Sequence, residues 1–139
     1  MPATITYKVN TALTPEEASQ LYRDSTLAER RPTENLDIMA QMLEHANLTV
    51  TAWDGDLLIG ISRSLTDFCY VAYLADLAVH NAYQRQGIGR ELIEQTKQTL
   101  DPECKIILLA APAAVNYYPR IGFEAHNSAW MIKAKDVLK

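Results

Sequence analysis

The chain has 139 residues, 48% apolar and 22% charged, with 13 Lys and Arg against 17 Asp and Glu for a formal net charge of −4. That size and apolar share fit one packed domain and exclude a disordered chain, while two full domains would each be too small to form a core easily. The acidic balance excludes nucleic acid and anionic membranes as partners held by bulk charge, although local basic patches remain allowed. Two cysteines, Cys69 and Cys104, cannot build a disulfide framework. No apolar run approaches the ~20 residues of a membrane span. Met1-Pro2-Ala3-Thr4 leads directly into an alternating pattern instead of a basic-then-apolar leader. The expectation is a reduced, cytoplasmic chain folded as one domain over residues 1–139.

Ile5, Tyr7 and Val9 alternate with polar residues and predict a first strand. Thr14-Pro15-Glu16-Glu17 is a helix start, with a capping hydroxyl, proline at the first helical position and glutamate three residues after the cap. Arg30-Arg31-Pro32 is a break, and Thr33 opens a second helix carrying Leu36, Met39 and Leu43 on one face. Leu48 to Trp53 and Leu57 to Ser64 are strands joined by the hairpin signal Asp54-Gly55-Asp56. Tyr70 to Val79 is a nearly continuous apolar run, as for a strand buried on both faces. A helix from about Gly89 to Leu100, a buried strand from Ile106 to Ala110, a short helix from Ala113 to Ile121 and one or two closing strands from Phe123 complete the chain. The predicted class is α/β, a mixed sheet flanked by helices on both faces, in the order β-α-α-β-β-β-α-β-α-β-(β), with a right-handed parallel crossover after residue 70.

Gln84-Arg85-Gln86-Gly87-Ile88-Gly89-Arg90 lies between a buried strand and an amphipathic helix. Glycines allow a tight turn and close ligand approach, and the free amides of a helix start favour a phosphate or pyrophosphate. The segment lacks the Gly-Lys-Ser/Thr of a P-loop and the third small residue of a dinucleotide fingerprint. A turn that only joins strand to helix is the simpler alternative.

Leu77-Ala78-Val79-His80-Asn81-Ala82-Tyr83-Gln84-Arg85-Gln86-Gly87-Ile88-Gly89 resembles the acyl-CoA signature of the GNAT N-acetyltransferase superfamily, and Tyr117-Tyr118-Pro119-Arg120-Ile121-Gly122-Phe123 resembles that family's Phe-Tyr-x-x-x-Gly-Phe segment. The element order matches the family over essentially the whole chain, the N-terminal half in pattern only. The resemblance implies acetyl-CoA as donor, no metal, backbone pairing of the pantetheine arm with Leu77, Ala78 and Val79, and pyrophosphate held by Gln84, Arg85, Gln86, Gly87, Ile88, Gly89 and Arg90. An asparagine that many members place before the tyrosine is absent from Ala110-Ala111-Pro112-Ala113-Ala114-Val115, which removes one cofactor contact.

Tyr118, at the family's tyrosine position, is the candidate proton donor to the leaving thiolate; a phenol with pKa ~10 needs no prior ionisation for that task. Asp76, an acid inside an apolar strand, is either the acceptor of the amine proton or a structural carboxylate paired with backbone amides or an arginine. Strand alternation sets Tyr73 and Asp76 on opposite faces and leaves Tyr73 as a substrate-pocket candidate. His45, His80 and His126 show no metal-ligand spacing. The expected function is direct acetyl transfer from acetyl-CoA to a primary amine, a small molecule in preference to a protein, by a chain that forms a homodimer. A non-catalytic acyl-CoA sensor and a protein N-terminal or lysine acetyltransferase are the alternatives.

Overall fold

A computed structural model of the chain describes residues 4–139; the start of the N-terminal pattern, Met1-Pro2-Ala3, lies outside the described residues. The described chain divides into two compact units, one ending at Leu109 and the other Ala110–Lys139.

The first unit is built on a five-stranded sheet in the order β1 (Ile5–Val9), β2 (Leu48–Asp54), β3 (Leu57–Thr66), β4 (Val71–Val79), β5 (Lys105–Ile107). All neighbours are antiparallel except β4 and β5, which run parallel across the crossover helix α3 (Ile88–Gln98). α1 (Pro15–Asp24) starts as its sequence dictates. The Thr14 hydroxyl accepts the Glu17 N–H at 3.1 Å, while the Glu17 carboxylate accepts the Thr14 N–H at 2.8 Å. α2 (Leu36–His45) starts later than Thr33, because Asn35 supplies the cap to the Ile38 N–H at 3.2 Å.

Both faces of the sheet are covered. Ala18, Leu21 and Tyr22 of α1 and Met39 of α2 pack with Ile61 and Ala78 on one face. Ile88 and Leu92 of α3 pack with Val50, Ala52 and Ile59 on the other. The Ser62 and Thr96 hydroxyls, 2.9 Å apart, add a buried hydrogen bond on that second face.

Two strands depart from expectation. β4 is not buried throughout: Ala72, Leu74, Asp76 and Ala78 are buried, whereas Tyr73 is 40% exposed. β5 is three residues long, and its Ile107 is 49% exposed. It pairs with β4 only at Val71, Ala72 and Tyr73, so it covers too little of β4 to form a buried central strand.

In the second unit a short 3₁₀ turn (Pro112–Ala114) precedes α4 (Tyr117–Arg120). No strand follows Phe123 among the described residues: the closing strands are replaced by turns, such as the Asp136 N–H donating to the Lys133 carbonyl at 2.9 Å. Trp130 is 95% exposed there, as expected of a segment with no ladder partner to bury its alternate residues.

Candidate acyl-donor site

Pairing of β3 with β4 couples Arg63 to Asp76 but Ser64 to Leu74, so Ala75 is an extra residue, a β-bulge. A bulge inverts which residues face which side. Asp76 shares a face with its partner Arg63, Tyr73 with its partner Leu65, and Arg63 and Leu65 are two apart on β3. Tyr73 and Asp76 therefore lie on the same face, the one covered by α1 and α2, and not on opposite faces as simple alternation predicts.

The bulge also marks where β4 loses its neighbour. The His80 N–H donates to the Ile59 carbonyl at 2.8 Å, so by antiparallel alternation His80, Ala78 and Asp76 bond to β3. Leu77 and Val79 then direct their N–H and C=O groups to the opposite edge, beyond the last β4–β5 pair at Tyr73. Of the three backbone positions singled out in the sequence, Leu77 and Val79 face the open edge and Ala78 is used by the sheet.

The loop after β4 delivers amides to the end of that edge. His80 caps a 3₁₀ turn (Asn81–Tyr83) by accepting the Ala82 N–H on Nδ1 at 3.0 Å, and its Nε2 lies 3.6 Å from Asp24 Oδ2. The Nδ1 lone pair is thereby taken by the Ala82 N–H and is not free for an acceptor amine. The Gln84 amide closes the loop on the Val79 carbonyl and Asn81 Oδ1, each at 3.2 Å. The Tyr83 hydroxyl donates to Asp54, tying the loop to the β2–β3 turn. Arg85 and Gly87 both adopt left-handed backbone, at φ +64° and +79°. Gly87 is the N-cap of α3 and supplies no side chain to the first-turn amides, and a Cβ there would meet nothing within 4 Å. Unclaimed amides, alternating backbone hand, open space and the flanking cations Arg85 and Arg90 fit a diphosphate.

Asp76 is 2% exposed and fully engaged. Oδ2 accepts from the Tyr22 hydroxyl at 2.6 Å and Arg63 Nε at 2.6 Å, and Oδ1 accepts from Arg31 Nε at 2.5 Å. Burial pushes its pKa up, but hydrogen bonding and charge from Arg63, with further hydrogen bonds from Tyr22 and Arg31, outweigh burial and hold it below the usual carboxylate range. Burial first, and then the Asp76 charge, push the Tyr22 phenol well above its ordinary value. The two guanidiniums, of buried Arg63 and partly exposed Arg31, and the one carboxylate leave this cluster with one net positive charge.

In the second unit, Gly122 at φ +104° and Phe123 close α4 by donating to the Pro119 carbonyl at 3.3 Å and the Tyr118 carbonyl at 3.1 Å. This is a Schellman stop, and the matching apolar contact is the Tyr118–Phe123 ring pair at 5.4 Å. The Gly-Phe of the segment thus has a mechanical role in fixing Tyr118. Burial, then the neighbouring Tyr117, raise the Tyr118 phenol above its ordinary value and keep it protonated.

Residues 12–133 match the family described as the acetyltransferase (GNAT) domain. The chain belongs to the GNAT acetyltransferase family. Among its relatives, the histone acetyltransferase TAP1 of Glycine max is 39% identical over 70 residues, which cover 49% of this chain and 30% of that protein. The uncharacterized N-acetyltransferase ycf52 of Gracilaria tenuistipitata is 37% identical over 68 residues, covering 48% of this chain and 37% of the relative. The match therefore spans only about a third of the length of these relatives. A GNAT family acetyltransferase structure from Streptococcus pneumoniae aligns with a TM-score of 0.73 at 25% identity, over 94% of this chain and 99% of that one. The aminoglycoside N-acetyltransferase AAC(6')-Iy, solved in complex with CoA, aligns with a TM-score of 0.72 over 98% of each chain; at 14% identity this is a likeness of fold.

In this GNAT chain, sequence reasoning singled out the loop and offered an arginine as one alternative partner of Asp76, without saying which. Arg31 reads only as part of a helix break. The one local signal is Arg63, a charge in an apolar strand like Asp76 itself, since buried charges are normally paired. Among the described residues no group of three or more His, Cys, Asp or Glu side chains is placed to hold a metal, and no helix is long and apolar enough to cross a membrane.

Proposed function

We propose that the chain, acting as one domain, moves an acetyl group from acetyl-CoA directly to the primary amine of a small-molecule acceptor. The observation that carries this reading is the uncapped, left-handed loop at the start of α3, adjoining a β4 edge that β5 leaves unpaired. The family match runs through both compact units, which supports reading them as one functional domain. When bound, acetyl-CoA supplies a thioester activated for acyl transfer.

Each residue then has a task. The amides from Gln84 to Arg90 hold the diphosphate, and Leu77 and Val79 pair with the amide-bearing arm. The Tyr118 hydroxyl, kept protonated, donates to the departing sulfur. Tyr73 lines the acceptor face beside Leu65 and Ile107, its cross-strand partners. Asp76 is assigned the structural alternative: with both oxygens held by cations and a phenol, it organises the acceptor-side elements and takes no proton.

An amine with pKa ~10.4 must lose a proton, at a cost of about 4.6 kcal/mol at pH 7. The net positive Asp76 cluster lowers that cost for any amine bound above it, because a nearby cation disfavours the ammonium form.

The test is thiol release from acetyl-CoA across a panel of a polyamine, an aminoglycoside, free amino acids and a peptide bearing N-terminal and lysine amines. Amine-dependent release with a small-molecule member is expected, and Tyr118→Phe should lower kcat about 100-fold with little change in donor affinity. Donor binding without release on any amine would support the sensor alternative instead.

A further inference from the structure

We infer that Arg31, from the loop before α2, is a positioning residue that fixes how far along β4 the acyl-donor arm pairs; this rests on the donor site proposed above. Neither of the two segments that carry the family resemblance, Leu77 to Gly89 and Tyr117 to Phe123, contains Arg31, and it reaches the site only through the fold.

The geometry is specific. Asp76 bonds to β3, and its peptide with Ala75 is trans, so the Ala75 carbonyl points away from β3 toward the open edge. Arg31 Nη2 donates to that carbonyl at 2.7 Å while Arg31 Nε holds Asp76 Oδ1 at 2.5 Å. One guanidinium therefore grips two consecutive residues of β4, at the bulge itself. Its planar fork fits this task by presenting separate nitrogens, Nε and Nη2, to the two acceptors, whereas an ammonium carries all its donors on a single nitrogen at the end of a flexible stem. The third contact, Nη1 to the Arg30 carbonyl at 2.8 Å, ties the same group back to its own loop.

The consequence lies in what remains free along the edge. At its far end the Val79 carbonyl is taken by the Gln84 side chain at 3.2 Å. At its near end the Ala75 carbonyl is taken by Arg31. Between them stands Leu77, whose N–H and C=O both face the edge and to which β5 offers no partner. An extended ligand arm entering from the diphosphate loop finds its complete backbone partner at Leu77 and meets an occupied carbonyl at Ala75. Arg31 thus acts as a stop that sets the register of the arm and also locks the bulge that opens the edge.

The experiment separates the arm from the nucleotide. Binding of acetyl-CoA and of adenosine 3′-phosphate 5′-diphosphate, which keeps the diphosphate and lacks the arm, is measured by calorimetry on the wild type, Arg31→Gln and Arg31→Lys, with Arg63→Lys as a control that disturbs the same Asp76 without touching the Ala75 carbonyl. Both Arg31 variants should weaken acetyl-CoA about 10-fold and leave adenosine 3′-phosphate 5′-diphosphate unchanged, and acetyl-CoA should no longer protect the Leu77 amide from hydrogen exchange. Arg63→Lys should preserve the wild-type ratio of the two affinities. Equal losses of both ligands, or no loss of either, would overturn the inference. Should Arg31→Gln not fold, Arg31→Lys decides, because it keeps the charge and the aliphatic stem. Wild-type protein that binds neither ligand would instead remove the donor site itself, a separate and recognisable result.

Discussion

Asp76 remains ionised inside the protein because Arg63, Tyr22 and Arg31 surround it, and its removal should leave the buried Arg63 and the partly exposed Arg31 without their carboxylate. Breaking such a pair by removing one partner costs about 3–5 kcal/mol, so Asp76→Asn should lose that much by urea unfolding at pH 7. The pH dependence follows from its depressed pKa. The unfolded carboxyl titrates near ~3.9, so the charge contributes stability above that pH, and the contribution is lost as pH falls through the lower folded value. Wild type and variant should therefore differ fully at pH 7 and converge in strong acid. A gap that stays constant below pH ~4 would contradict the assignment of the shift to this group. The same side chain shows what a sequence conceals. Asp76 is recognisable as an odd acid in an apolar strand, but its partner Arg31 lies 45 residues away in the chain and has no periodicity to announce it.

At the scale of elements, α3 is seated on the sheet through Gly60. A Cβ there would lie 3.1 Å from both Ala52 Cβ and Leu92 Cδ1 and 3.4 Å from Ile88 Cγ2. Leu92 can shift its tip but Ala52 cannot, so Gly60→Ala should overpack this contact and cost about 1–3 kcal/mol. A melting temperature equal to the wild type would show that α3 is not so tightly seated. Elements set by local chemistry were legible: the α1 cap, the β2–β3 turn and the glycine-rich start of α3 each follow from a few adjacent residues. Those set by pairing were not. The bulge at Ala75 arises from register with β3, and it moved Tyr73 onto the face of Asp76. Thr33 and Asn35 are both capping residue types, and only the described contact to Ile38 separates them. β5 reads as buried from Ile106 to Ala110, yet its extent depends on how much of β4 it covers.

At the scale of the whole molecule, an acidic chain of net charge −4 places a loop bearing Arg85 and Arg90, the loop proposed above to hold the diphosphate, at one end of β4. Nothing in bulk composition points to that loop; the order strand, loop, helix does, within the family match from residue 12 to residue 133. The central claim is that this loop and the β4 edge bind acyl-CoA. A thermal-shift titration with acetyl-CoA, CoA and ATP, on the wild type and on Gly87→Glu, tests it most directly. Ligand at about 100 times its Kd should stabilise the fold by roughly 2.7 kcal/mol, a rise of several degrees in Tm. The account predicts that rise with both CoA species and none with ATP, and its loss in Gly87→Glu, which strains the φ +79° backbone at the α3 N-cap and adds a carboxylate beside the start of the helix. Folded wild-type protein that shows no shift with either CoA species would contradict it.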